Sequence, residues 1–242
     1  ICGKMKQGAG MDRHSAHKAG LAPLRRAMYD FAEGPVRTAL TRLLAPEAEV
    51  HLCHPFGDLT GPDAVYEQAY AGLFAAWPDL ERRDYIVMAG PDGDGGDWVG
   101  CGGFYTGTFV GPWLDIPPTG HQVAMRFHEF YRFDGARVAE IQAIWDIPEV
   151  MMQSGAWPMA PSLGRDWQVP GPATEDGIVP GPWDAAASEA TRARIVEMLA
   201  HMVRHPGQGG PEVMEMERFW HPRMSWYGPA GIGTARGIRG FR

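Results

Sequence analysis

The chain has no run of 18 apolar residues and no basic-then-apolar leader, so neither a membrane-spanning helix nor an export signal is expected. Its three cysteines, Cys2, Cys53 and Cys101, show no CxxC spacing and no even framework. A disulfide scaffold is therefore excluded, and a reducing, cytoplasmic setting is expected. Basic residues form no stripe, and the formal charge of −7 argues against a nucleic-acid partner. Strong metal and nucleotide signatures are lacking as well. His51, His54, Asp58 and His121 are the nearest approach to a ligand set, but the H-x-x-H spacing falls where a strand gives way to a loop, without cysteine or helix-borne ligands. The segment GPAGIGTARG lacks a surrounding βαβ unit, and PDGDGGD lacks the closing glutamate of a calcium loop. No cofactor and no metal are expected.

What the chain does have is 242 residues, 45% of them hydrophobic, with nine tryptophans and 21 prolines. It can bury a substantial core as one large domain or two ordinary ones. It also echoes itself. At a constant offset of 176, Arg42, Pro46, Gly57 and Gly61 fall on Arg218, Pro222, Gly233 and Gly237. In both places a helical run is followed by a proline, a short strand, and a Gly-rich loop leading to another helix. A repeat this long implies related domains, since solenoid periods run from about 20 to 50 residues.

Apolar residues at helical spacing predict helices over Leu21–Phe31 and Val36–Leu44, divided by Gly34-Pro35. A short strand is expected over Glu49–Cys53, and a helix from Pro62 to the stop at Trp77-Pro78. From there the period changes to two. Strands are expected over Arg82–Gly90, Trp98–Val110, His121–Phe133 and Arg137–Ile147, the second rich in glycines that signal bulges or curvature. The expected fold class is α+β, with helices packed on a curved, mainly antiparallel sheet of about four main strands. Residues 1–21 read as a tail, partly mobile or bound to an oligomer partner. After a Pro/Gly-rich strap, a helix capped by Asp184 is expected to Met202, a second over Val213–Trp220, and a strand over Met224–Tyr227.

The segment GTFVGPWLDIPPTGHQVAMRFHEFYRFDGARVAEIQAIWDIPEVM carries G-x-F-x-G, then IPPTG-x-x-V, then F/Y-R-x-x-G-x-x-x-E. In order and spacing these resemble the SnoaL-like polyketide cyclases of the NTF2-like superfamily. The resemblance covers residues 22–155 well and 185–242 in part. It implies a cone-shaped α+β barrel with an apolar pocket, often dimeric. Residues 22–155 would be a complete domain, 156–182 a strap, and 183–242 an incomplete second unit. The function it implies is a cyclase, lyase or isomerase acting on a small apolar or polyketide-like carbonyl compound. A non-catalytic ligand-binding or assembly module is the alternative, since many members of the superfamily are of that kind.

The resemblance places the acid/base carboxylate at Glu129, two residues before Tyr131. The residues point to the same neighbourhood, because Val123, Met125, Phe127 and Glu129 share one strand face, where burial would raise a carboxyl pKa. Alternatively, Glu129 pairs with Arg126 or Arg82, or faces solvent. His51 matches the family's first-strand histidine and is the candidate assisting base, while His128 is out of phase with Glu129. Tyr105 stands where the cyclases have a histidine, and is the candidate oxyanion donor. Gln142 stands where they usually have tryptophan. Phe104, Trp113, Phe127 and Trp145 are expected to wall the pocket, with His54 and Asp146 beside it; Asp146 could equally cap the helix that starts near Pro148.

Overall fold

The computed structural model describes residues 12–163, 177–179 and 181–241. Cys2, the first part of the expected tail, residues 164–176 of the strap and Arg242 lie outside the described residues.

Two helices open the fold, α1 (Arg13–Tyr29) and α2 (Glu33–Leu43). The first starts well before the expected Leu21, inside the stretch read as a tail. The local reason is a cap: the Asp12 carboxylate accepts from the Ser15 backbone N–H at 3.0 Å, satisfying a helix-start donor. The tertiary reason is His14, which is buried with its ring 4.4 Å from that of Trp183.

Strand β1 (Leu44–Leu52) turns back into the short β2 (Asp58–Thr60). A helical passage follows, made of α3 (Gly61–Val65), a π-helical turn at Tyr66–Tyr70, and α4 (Ala71–Ala76). Four long strands complete the unit: β3 (Glu81–Pro91), β4 (Asp97–Thr108), β5 (Gln122–Asp134) and β6 (Arg137–Trp145), then α5 (Ile147–Gln153). The six strands run in the order β2-β1-β6-β5-β4-β3. β1 lies parallel to β6 and the other pairings are antiparallel. The sheet is thus mixed and wider than the four strands expected, because the helical passage carries the chain to the far edge before the meander returns β6 to β1.

One face of this sheet meets α1 and α2. Leu21, Leu24 and Met28 of α1 and Val36 and Leu40 of α2 are buried there with Val123, Met125, Phe127, Tyr131 and Phe133 of β5. The β4 glycines serve that curvature. A Cβ on Gly103 would lie 2.1 Å from the Arg83 carbonyl oxygen, and the β3–β4 register slips beside it, between Asp84 and Ile86.

Residues 177–179 run along the sheet edge. Val87 donates its N–H to the Gly177 carbonyl and its own carbonyl accepts from Val179, so this piece covers the β3 edge. Helix α6 (Ala185–Met202) is capped by Asp184 as expected. The expected helix over Val213–Trp220 is instead a 3-10 turn, Pro211–Met214, and a short α7, Met216–Phe219. Glu215 separates them at φ +49°, a left-handed conformation that no helix continues through. A hairpin of β7 (Ser225–Tyr227) and β8 (Thr234–Arg236) leads into α8 (Gly237–Phe241).

The hairpin pairs Ser225 with Arg236, Trp226 with Ala235 and Tyr227 with Thr234. The β1–β2 pairs are Glu49–Thr60, Val50–Leu59 and His51–Asp58, so every partner is displaced by the same 176 positions. Gly57 and Gly61 have φ +66° and +78°, and Gly233 and Gly237 have +78° and +66°. A Cβ on Gly61 would fall 2.5 Å from the Pro46 carbonyl oxygen, and one on Gly237 would fall 3.3 Å from that of Pro222. Gly61→Ala therefore meets both backbone strain and a carbonyl, whereas Gly57 has open space around it. The expected loss in urea denaturation is about 2–3 kcal/mol for Gly61→Ala and about 1 kcal/mol for Gly57→Ala. Equal losses would contradict the carbonyl contact.

Candidate functional site

Strand β5 alternates, and Glu129 takes the inward phase between Phe127 and Tyr131; all three are buried. Four donors converge on its carboxylate. Oε1 accepts from the Tyr105 hydroxyl at 2.9 Å and from Trp145 Nε1 at 2.9 Å. Oε2 accepts from Arg82 Nη1 at 2.5 Å and from the Tyr131 hydroxyl at 2.5 Å. Strand register explains the convergence, since Arg82 pairs with Tyr105 across β3–β4, and Phe127 pairs with Trp145 across β5–β6.

A second layer holds the donors. Arg82 also donates to Tyr105 at 3.1 Å and to Asp84 at 3.0 Å, and its guanidinium lies 4.1 Å from the centre of the Phe127 ring. Asp84 in turn pairs with Arg25 of α1 at 2.9 Å. Because Tyr105 gives its one proton to Glu129, the 3.5 Å contact between the hydroxyls of Tyr70 and Tyr105 is donated by Tyr70. Burial, and then the charge of Glu129, hold the phenols of Tyr105 and Tyr131 well above the usual tyrosine range. Both therefore stay protonated donors. Burial alone would lower the Arg82 pKa, but the opposing charges, that of Glu129 first, keep it well above its ordinary value.

Of the residues singled out in the sequence, Glu129, Tyr105, Phe127 and Trp145 come together. Phe56 extends their aromatic shell, 5.5 Å from Trp145 and 6.4 Å from Trp113 between ring centres. Trp113 is buried, and its indole N–H has no acceptor among the described residues. Among the two arginines weighed as partners of Glu129, the pairing goes to Arg82. Arg126 is in the opposite phase of β5 and pairs with Glu149 at 3.1 Å.

Four residues fall elsewhere. His51 occupies the outward phase of β1, where its Nδ1 meets Asp58 at 2.8 Å, and that hydrogen bond raises its pKa. It lines a 350 Å³ cleft on the outer sheet face with His128 and Phe130, apart from Glu129. His54 is exposed in the β1–β2 turn. Phe104 faces outward near Tyr85, which stacks on Tyr227 at 4.8 Å. Asp146 makes no side-chain cap for α5; its carboxylate accepts from the Ala230 N–H at 2.9 Å. Three cluster members were not candidates in the sequence: Tyr70, Tyr131 and Arg82 as a functional group. Tyr131 was findable from its phase, two residues on from Glu129. Nothing local marks Arg82.

Among the described residues, no group of three His, Cys, Asp or Glu side chains is placed to hold a metal ion, and no helix is long and apolar enough to cross a membrane. The sequence profile described as SnoaL-like polyketide cyclase matches residues 22–154, more than half of the chain. The chain belongs to the SnoaL-like polyketide cyclase family. Solved structures share the fold of this SnoaL-like protein. One, described as SnoaL-like, from Jannaschia sp. CCS1, is 20% identical with a TM-score of 0.50; the match covers 64% of this chain and 100% of that one. AclR from Streptomyces galilaeus is also 20% identical with a TM-score of 0.50, and the match covers 61% of this chain and 90% of that one. No curated protein matches the chain.

Behind the sheet, the SnoaL-like domain meets the C-terminal segment through Arg126, which donates to the Gly228 carbonyl as well as to Glu149. Burial pushes the Glu149 carboxyl up to about 7 from 4.5. The folded state then binds more protons than the unfolded chain between these values, so stability from this group falls as pH rises through that window. Glu149→Gln is expected to remove a slope of up to about 1.4 kcal/mol per pH unit between about pH 5 and 7. Denaturation at several pH values reads it, and an unchanged slope would contradict it. The overall stability drops in the variant because Arg126 loses its carboxylate, but the slope is the readout.

Proposed function

We propose that residues 22–155 form a cone-shaped NTF2-like barrel that works as a small-molecule cyclase, lyase or isomerase on an apolar carbonyl compound, polyketide-like in kind. We further propose that residues 183–242 are an incomplete second copy of this unit; the shared register of β1–β2 and β7–β8 supports that reading. The observation that carries the functional reading is a buried carboxylate, Glu129, holding the proton of a buried phenol, Tyr105, at 2.9 Å inside an aromatic shell.

In this mechanism the substrate carbonyl oxygen takes over the Tyr105 O–H. The exchange does two things at once: it places a donor where enolate charge will develop, and it uncovers a lone pair on Glu129 Oε1. Glu129 then accepts the proton from the carbon next to that carbonyl. The C–H electron pair becomes the enolate, which attacks a second carbonyl carbon of the same molecule, forming the C–C bond. The proton held by Glu129 returns to the new alkoxide, so atoms and charge balance with no external reagent. Arg82 keeps its positive charge beside the carboxylate throughout, and Tyr70 follows Tyr105 as the next donor. Phe127 and Trp145 wall the reacting carbons, and the free Trp113 N–H offers a hydrogen bond to a ligand oxygen. His51 has no part in this step, because it lies on the other sheet face.

A second reading, a non-catalytic ligand-binding or assembly module, draws on one observation: both oxygens of Glu129 are satisfied by four donors of the chain itself. Steady-state kinetics on β-keto and polyketide-like compounds separate the two. The catalytic reading expects Tyr105→Phe to lower kcat by about 10²–10³ with little change in KM, and Glu129→Gln to abolish turnover. Turnover equal to that of the unmodified protein in both variants, or none by any form, would favour the second reading.

A further inference from the structure

A cleft of about 310 Å³ opens between α1 and β3, with Arg82, the partner of Glu129, in its lining. Its lining is Ala22, Arg25, Arg26 and Tyr29 from α1 and Arg82, Arg83 and Asp84 from β3. In a chain of net charge −7, the side chains of Arg25, Arg26 and Arg83 gather at this depression, with the buried Arg82 beneath them. Their counter-charges are Asp84, which pairs with Arg25 and Arg82, Glu129, which pairs with Arg82, and Glu81, which pairs with Arg83 at 2.5 Å. Three carboxylates against four guanidinium groups leave one positive charge unmatched. It belongs to Arg26, which is exposed and has no hydrogen bond or ion pair among the described residues.

The wall beside that charge is flat. The Arg83 guanidinium lies 4.3 Å from the centre of the Tyr29 ring, and both side chains are substantially exposed. A guanidinium stacked on one ring can receive a second ring on its other face. Asp84 cannot turn to meet a ligand, since its side chain is 6% exposed and both oxygens are engaged by Arg25 and Arg82. A monoanion thus finds, at Arg26, a guanidinium without an ion-pair partner among the described residues, next to a stacking surface whose Arg83 is held in its plane by Glu81.

We propose that this cleft binds an aromatic carboxylate, with its carboxylate on Arg26 and its ring on the Arg83–Tyr29 stack. Charge selects the monoanion, because one positive charge is left over, and the stack selects a planar body. Glu129 is not part of the cleft lining, although Arg82 touches both, and the proposal does not depend on the reaction assigned to Glu129.

Benzoate is the probe, followed by NMR shift titration or calorimetry on the full chain, with benzamide as its neutral counterpart and inorganic phosphate as an anion without a ring. Saturable benzoate binding is expected, weakened about tenfold or more in Arg26→Ala and in Arg83→Ala, with benzamide and phosphate both weaker than benzoate. Arg26 is exposed, so Arg26→Ala is expected to melt like the unmodified protein. The proposal is overturned by an absence of saturable benzoate binding, or by equal binding in both variants. Benzamide binding as well as benzoate would remove the role of charge, and phosphate binding as well would remove the role of the ring; either result also overturns it.

Discussion

An ionised carboxylate cannot sit in the middle of a protein core unless its charge and lone pairs are met, and Glu129 sits there fully buried. Much of the arrangement of the domain around it follows from that constraint. Arg82 brings the balancing charge from the edge strand, Asp84 and Arg25 tie that strand to the first helix, and Tyr105, Tyr131 and Trp145 supply the remaining donors from three adjoining strands. A polar network of this kind is worth most when every member is satisfied, and it sets strand register as firmly as packing does. A slip by one residue in β4 or β5 would turn Tyr105 or Glu129 to the outer face.

The two faces of the sheet have different tasks as a result. The inner face combines the carboxylate centre with an aromatic shell and the helices α1 and α2. The outer face is partly covered by the C-terminal segment, through Arg126, Asp146 and the Tyr85–Tyr227 stack, and partly open around His51, His128 and Phe130. The departures from the family pattern, Tyr105 and Gln142, fall on opposite faces. Tyr105 is part of the carboxylate network, whereas Gln142 is exposed and bonds to Glu140.

Periodicity made much of the fold legible. The four long strands, α2 and the Asp184 cap could be read to within a few residues, because alternation and capping are local signals. The parallel β1–β6 pairing could not, since it joins strands far apart in sequence. The start of α1 at Arg13 was missed because burial of His14 depends on Trp183. In the site, strand phase was enough to bring Glu129, Phe127 and Tyr131 to one face and to send His128 to the other. The same rule, applied to β1, would have turned His51 outward beside buried Val50. Arg82 as the partner of Glu129 was one of two open choices, and only the opposite phase of Arg126 decides between them.

The central claim is that Glu129 and Arg82 exist in the core only through each other, and a double-mutant cycle tests it most directly. Arg82→Met and Glu129→Gln, alone and combined, would be compared by equilibrium denaturation at one pH. Each single change leaves a buried group without its partner and is expected to cost about 3–5 kcal/mol. The combined variant should lose well under the sum, with a coupling of about 2 kcal/mol or more. Losses that simply add would contradict the claim, and would mean that the two charges are held independently of one another.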